Sequence, residues 1–152
     1  MFIVLDTNVI VSALLTPFGN AARILDMVIS GDLNFLYDDR ILSEYREVLL
    51  REKFGFKEYD VDILLEYIET EGLRITAAVS DEPLLDKDDI PFLEVALSGK
   101  ADVLVTGNKR HFKVKSARGL KILSPEEFLK LLKQRNKFFH LSEGKIFGNS
   151  QT

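Results

Sequence analysis

Two short apolar runs, each closed by polar residues, constrain this chain most. Phe2-Ile3-Val4-Leu5 runs straight into Asp6-Thr7-Asn8, and Val103-Leu104-Val105-Thr106 into Gly107-Asn108. An apolar run without polar alternation reads as a strand buried on both faces, and such strands belong to parallel sheets covered by helices. The intervening sequence supplies the helices. Val9 to Leu15 reads as one, and Asn20 as the cap of a second from Ala21 to about Ile29. Asp39 opens a third carrying Ile41, Leu42, Tyr45, Val48 and Leu49 at helical spacing, and ending near Phe54-Gly55. Asp60 reads as the cap of a fourth, with Ile63, Leu64, Tyr67 and Ile68 as its buried stripe. A fifth starts at Asp89, with Pro91 in its first turn. Residues 33–37, 73–76 and 121–123 read as further strands. Ser124-Pro125-Glu126-Glu127 is a capping box opening a helix to about Arg135. The expectation is one α/β domain over residues 1–135, with a mostly parallel sheet and helices on both faces. An irregular tail over 136–152 follows, in which Phe138, Phe139 and Phe147 are apolar enough to dock on the domain or on a second copy.

Composition narrows what such a domain can do. The 152 residues include no cysteine and only two histidines, His111 and His140. Disulfide scaffolds, thiol nucleophiles and cysteine-based metal sites are therefore excluded. The lack of cysteine makes a reducing cytoplasm the expected setting, and no apolar run reaches the roughly 18 residues that span a bilayer, so no membrane is expected. The net charge of −4 hides an asymmetry. Asp81, Glu82, Asp86, Asp88 and Asp89 crowd one stretch with Lys87 as the only base. From Lys109 to Lys137 ten basic residues face only Glu126 and Glu127.

In an open parallel sheet, function gathers beyond the C-terminal ends of the strands. Asp6 stands at such an end. At about 100° per residue, the apolar stripe of the third helix centres near Tyr45. Glu44 then lies at its edge and Glu47 points away. Asp89 falls within the arc of Phe92, Leu93 and Ala96 and faces inward, with Asp88 turned about 100° from it. Three inward acids thus come from three separate elements, with no lysine or arginine in an evident inward position. Two carboxylates about 5 Å apart repel by about 3 kcal/mol at an effective dielectric of 20. Either one is protonated or a divalent cation sits between them, and oxygen ligands favour Mg²⁺ or Mn²⁺ over zinc. Each acid also has a plainer role: Asp6 and Asp89 as helix caps, Glu44 as a surface residue.

The blocks Asp6-Thr7-Asn8-Val9, Ser43-Glu44-Tyr45-Arg46-Glu47-Val48-Leu49, Asp86-x-x-Asp89-x-x-Phe92-Leu93 and Leu104-Val105-Thr106-Gly107-Asn108 occur in this order. Together they resemble the PIN-domain family, in particular its small prokaryotic branch of toxins from toxin–antitoxin systems, over about residues 1 to 133. The resemblance implies a Mg²⁺- or Mn²⁺-dependent ribonuclease. Asp6, Glu44 and Asp89 match the metal-binding acids, with Thr7, Asn8 and Thr106 as supporting polar residues. Asn108 departs from the pattern, because many relatives carry a fourth acid there. An uncharged amide leaves one metal or two open and implies weaker metal affinity. The resemblance also implies an RNA substrate, a cognate antitoxin and a homodimer.

Phosphodiester hydrolysis suits these residue types. A cation neutralises the phosphate, lowers the pKa of a bound water and orients it. Lys109, Arg110 and Lys113 are the expected phosphate contacts, with Lys115 and Arg118 beyond them and Phe112 available to stack on a base. His111 reads as structural or exposed, or as a phosphate contact. A phosphatase of the haloacid-dehalogenase type would need a second aspartate where Asn8 stands. A receiver domain would need paired acids after the first strand. The remaining alternative is a catalytically weak or idle domain of the same family that binds RNA or protein.

Overall fold

The computed structural model describes residues 1–81, 84, 86–112 and 119–147, with side chains through 136. Five strands form one parallel sheet: β1 (Phe2–Leu5), β2 (Asn34–Tyr37), β3 (Leu73–Arg74), β4 (Val103–Val105) and β5 (Lys121–Leu123). Their spatial order is β3-β2-β1-β4-β5. Ile3 pairs with both Phe35 and Val103, and Leu5 with Val105, so β1 lies central. The chain winds outward from β1 to β2 and β3, then returns to lay β4 on the other side of β1. This reversal leaves a crevice beyond the C-terminal ends of β1 and β4. The two apolar runs of the sequence are these two strands, and Ile3, Val4, Leu5, Val103, Leu104 and Val105 are all buried.

Helices cover both faces: α1 (Thr7–Leu15), α2 (Asn20–Ile29), α3 (Asp39–Leu49), α4 (Glu58–Glu71), α5 (Ile90–Ser98) and α6 (Pro125–Phe147). Among the described residues, no single helix is long and apolar enough to cross a membrane. The capping box forms as read. The Glu127 N–H donates to Ser124 Oγ at 3.2 Å, and the Ser124 N–H donates to Glu127 Oε1 at 2.9 Å. That N–H, with Lys109 and the Ser124 hydroxyl, holds the Glu127 carboxyl at about 2, below the usual range.

Several boundaries differ from the sequence reading. The cap of α3 is Asp38, whose carboxylate accepts from the Ile41 N–H at 3.0 Å; Asp39 is already helical. Gly19, not Asn20, caps α2, and Lys57, not Asp60, caps α4. Neither cap makes a side-chain bond, so backbone turn geometry sets both boundaries. In α4 the buried residues are Val61, Leu65 and Ile68, with Ile63 half exposed. α3 stops at Leu49, and a 3-10 turn over Glu52–Phe54 carries the chain to Gly55, whose positive φ of 69° suits glycine. α6 continues past Arg135 through residues read as tail, because no proline or glycine intervenes before Gly144. The side chains of Phe138, Phe139 and Phe147 lie outside the described ones, as do Lys113, Lys115 and Arg118 altogether.

Candidate metal centre

The crevice at the strand reversal is built around Asp6. The residue directly follows β1, and its own N–H donates to the Val105 carbonyl at 2.9 Å, which ties it to β4. Its side chain is the cap of α1, as the plainer reading had it. Oδ1 accepts from the Thr7 N–H at 2.8 Å, while Oδ2 accepts from Thr106 Oγ1 at 2.7 Å and Asn8 Nδ2 at 3.1 Å. Capping and site-building are therefore one role here. Three hydrogen bonds clasp the two strand ends together, because beside the Asp6 N–H to Val105 and the Thr106 hydroxyl to Asp6, Asn8 Oδ1 also accepts from the Gly107 N–H at 2.9 Å. Gly107 suits this approach: a Cβ there would come within 3.3 Å of Asn8 Oδ1.

Glu44 reaches the crevice from α3. Its Oε2 accepts from the Thr7 hydroxyl. The next residue, Tyr45, is buried and donates its phenol to the Leu5 carbonyl at 2.5 Å, locking α3 to the end of β1. Asp89 arrives from the 3-10 turn over Lys87–Asp89 that precedes α5, and it is buried despite its charge. It does not cap α5 through its side chain. The crevice is about 460 Å³ and is lined by Asp6, Thr7, Asn8, Glu44, Asp86, Asp88, Asp89 and His111, with Arg51 at its rim.

The acids are poised against ionisation. Burial is the main cause of an upward shift at Asp6, opposed by its hydrogen bonds to Thr106, Thr7 and Asn8. Glu44 is raised by burial and by the charges of Asp6, Asp88 and Asp89. Asp89 is pushed up to about 6, by burial first and by Asp6 next, with His111 opposing. Among the described residues, no lysine or arginine pairs with Asp6, Glu44 or Asp89. Asp89 Oδ2 is a buried oxygen with no directed hydrogen bond, although His111 Nδ1 lies 2.8 Å away. An orphaned carboxylate oxygen beside two further raised acids fits a hard divalent cation. Asp6, Glu44 and Asp89 are the residues that would hold it.

The supporting residues are less uniform. Thr7, Asn8 and Thr106 bond directly to the acids. Asn108 instead donates its N–H to Thr106 Oγ1 at 3.0 Å and sets its side-chain Nδ2 2.8 Å from His111 Nε2. Lys109 pairs with Glu127 at 2.9 Å, and Arg110 is exposed. Phe112 is buried, so it packs in the core and offers no face to a base. Sequence reasoning missed His111 and Arg51 as crevice residues. The one available signal for His111 was its place three residues after Asn108 in a turn that follows a strand end, where i and i+3 eclipse.

The sequence of the family described as PIN domain matches residues 2–110. The chain belongs to the PIN domain family. A relative from Methanocaldococcus jannaschii, described as uncharacterized protein MJ1680, is 29% identical over 149 residues, covering 84% of this PIN protein and 88% of the relative. Two solved structures share the fold at lower identity. VapBC2 from Rickettsia felis, bound to a DNA fragment from their promoter, matches at a TM-score of 0.57 and 16% identity, over 82% of this chain and 98% of that one. VapBC-1 from nontypeable Haemophilus influenzae matches at 0.54 and 17% identity, over 83% and 99%. The parallel five-stranded sheet with its flanking helices is the fold of this family.

Proposed function

We propose that this PIN domain is a divalent-metal-dependent ribonuclease that hydrolyses RNA phosphodiester bonds, leaving 5′-phosphate and 3′-hydroxyl ends. One observation carries the reading: three carboxylates from the end of β1, α3 and the turn before α5 meet in one crevice, and among the described residues no arginine or lysine pairs with any of them. Such a pocket repels an anionic phosphodiester until a cation enters. A bound Mg²⁺ or Mn²⁺ supplies charge neutralisation and a more acidic water. The chain's residues set the stage for that chemistry. Thr7, Asn8 and Thr106 fix Asp6 in one orientation. Thr7 also holds Glu44, whose second oxygen is left to bind the cation or to take a proton from the attacking water. Arg51 at the rim and exposed Arg110 are placed to meet flanking phosphates.

The fold shared with the VapBC structures supports a toxin role, with an antitoxin partner that blocks the crevice, in a cytoplasmic and homodimeric protein. Cleavage of a panel of structured and unstructured RNAs, with Mg²⁺ or Mn²⁺ and with chelator, tests the activity. Asp6→Asn should abolish metal-dependent cleavage while the protein stays folded, and full cleavage by that variant would end the proposal.

A second reading has one observation in its favour. The uncharged Asn108 faces a histidine and adds no fourth negative charge, which suits an idle module that binds RNA or protein. Raising the Mn²⁺ concentration should raise the melting temperature of a metal-binding native state. A flat response favours the idle module.

A further inference from the structure

We infer that Asp86, Asp89 and His111 form a second cation seat, one that takes an imidazole-binding transition ion such as Co²⁺ or Zn²⁺ in preference to Mg²⁺ or Mn²⁺. The inference rests on the proposed metal reading only through Asp89, which the two seats share.

The three residues each offer one ligand atom, and these atoms lie within 4.8 Å of one another. Donors about 2.1 Å from a common ion are at most about 4.2 Å apart, so a small side-chain adjustment closes the set. Local structure aims them. Asp86 caps the 3-10 turn over Lys87–Asp89 by accepting from the Asp88 N–H through Oδ1 at 2.9 Å, which leaves its second oxygen uncommitted by that bond. His111 sits on the 3-10 turn over Lys109–Phe112, and the buried Phe112 ring anchors that turn to the core.

A group of acids beside a histidine is common without an ion. The buried oxygen of Asp89 is what singles this group out. Asp89 is 7% exposed, and its Oδ2 faces His111 Nδ1 at 2.8 Å without a directed hydrogen bond. In the tautomer with its proton on Nε2, the ring turns an Nδ1 lone pair toward the same space as Asp89 Oδ2, and a cation bridges such a pair. The imidazole then sets the choice of ion. Mg²⁺ prefers oxygen and water, whereas imidazole suits later first-row ions.

This arrangement gives Asn108 a purpose that a weakened ligand would not have. Its side chain touches His111 Nε2 at 2.8 Å. An ion on Nδ1 requires the ring proton to sit on Nε2, and a half-turn of the amide presents its oxygen to that proton. Asn108 is thus a positioning residue for the ring.

With only two histidines in the chain, nitrogen NMR on protein carrying ¹⁵N-labelled histidine reads the seat directly. Titration with Zn²⁺ should move one Nδ1 resonance, with the proton held on Nε2. His111→Ala should remove that signal and weaken Zn²⁺ binding, followed by calorimetry, at least tenfold. Mg²⁺ binding should be unchanged. Asp86→Asn, at an exposed position, should weaken Zn²⁺ binding while keeping the His111 resonance, which covers the case of a His111→Ala protein that does not fold. If Zn²⁺ leaves the His111 ring unmoved, or if Asp86→Asn binds Zn²⁺ as tightly as the parent, the group is a structural ion pair and the inference fails. Failure of the ribonuclease reading looks different: RNA stays intact with Mg²⁺ or Mn²⁺, while the histidine signal still responds to Zn²⁺.

Discussion

Two pairs of carboxylates in this PIN domain are almost equally buried, yet their surroundings are opposite. Asp38 and Glu94 are 8% and 5% exposed, and Asp6 and Asp89 are 5% and 7%. Arg40 closes the first pair, at 2.8 Å to Asp38 and 2.7 Å to Glu94. The remaining oxygens of that pair accept from the Ile41 and Ser80 N–H groups. Among the described residues the second pair has hydrogen bonds to Asp6 but no guanidinium or ammonium partner, and Asp89 Oδ2 faces only the His111 imidazole. Burial alone therefore marks no site. A buried acid whose charge is offset is architecture, and one whose charge is left open is where the proposed cation would sit.

The sharpest way to break this contrast is to remove the offset. Arg40→Ala should destabilise the domain by about 3 kcal/mol, read from the urea midpoint, because it strands two buried charges. Asp6→Asn should leave the metal-free midpoint unchanged or raise it, since it relieves repulsion. Equal losses in both variants would erase the distinction between the two pairs.

Mn²⁺ should act on one pair only. At 100 times its Kd it should stabilise the parent by about 2.7 kcal/mol, and thermal melts should show no such gain in Asp6→Asn. The Arg40 variant, destabilised or not, should keep the full Mn²⁺ increment.

The pH dependence follows with a definite sign. Asp89 titrates at about 6 in the folded state, above its ordinary 3.8, and Asp6 and Glu44 are raised too. The folded protein thus holds these protons more tightly than the unfolded chain does. Their contribution to stability is present below about pH 4 and is lost as the pH rises through about 6. Metal-free protein should lose about 2 kcal/mol between pH 4.5 and 7.5 from Asp89, in denaturant titrations at each pH. Glu127, held at about 2, has the opposite sign. Its contribution is present above about pH 4.5 and falls away toward pH 2. The smallest effect is Ser124→Ala, which removes one half of the capping box and should cost about 1 kcal/mol.

The strands were legible because burial on both faces leaves an unbroken apolar run, as in Phe2–Leu5 and Val103–Val105. Helix starts were less so. Asp38 and Asp39 are equally good caps as residue types, and only the extended backbone at Asp38 decides between them. The phase of α4 was misread because Ile63 is apolar but half exposed, while Leu65 faces inward. In the site, Asp6, Glu44 and Asp89 stood out as acids inside apolar patterns. His111 did not, since a single histidine in a short turn carries no periodicity. Nor did the Arg40–Glu94 pair, whose members lie 54 positions apart with no local trace of each other.

The clasp between Asp6 and Thr106 joins residues 100 positions apart. As the polypeptide leaves the ribosome, it therefore carries Asp6 and Glu44 long before it holds the partner that fixes the first of them. The crevice is thus completed late in synthesis, when the hydroxyl at residue 106 arrives to orient a carboxylate made a hundred residues earlier.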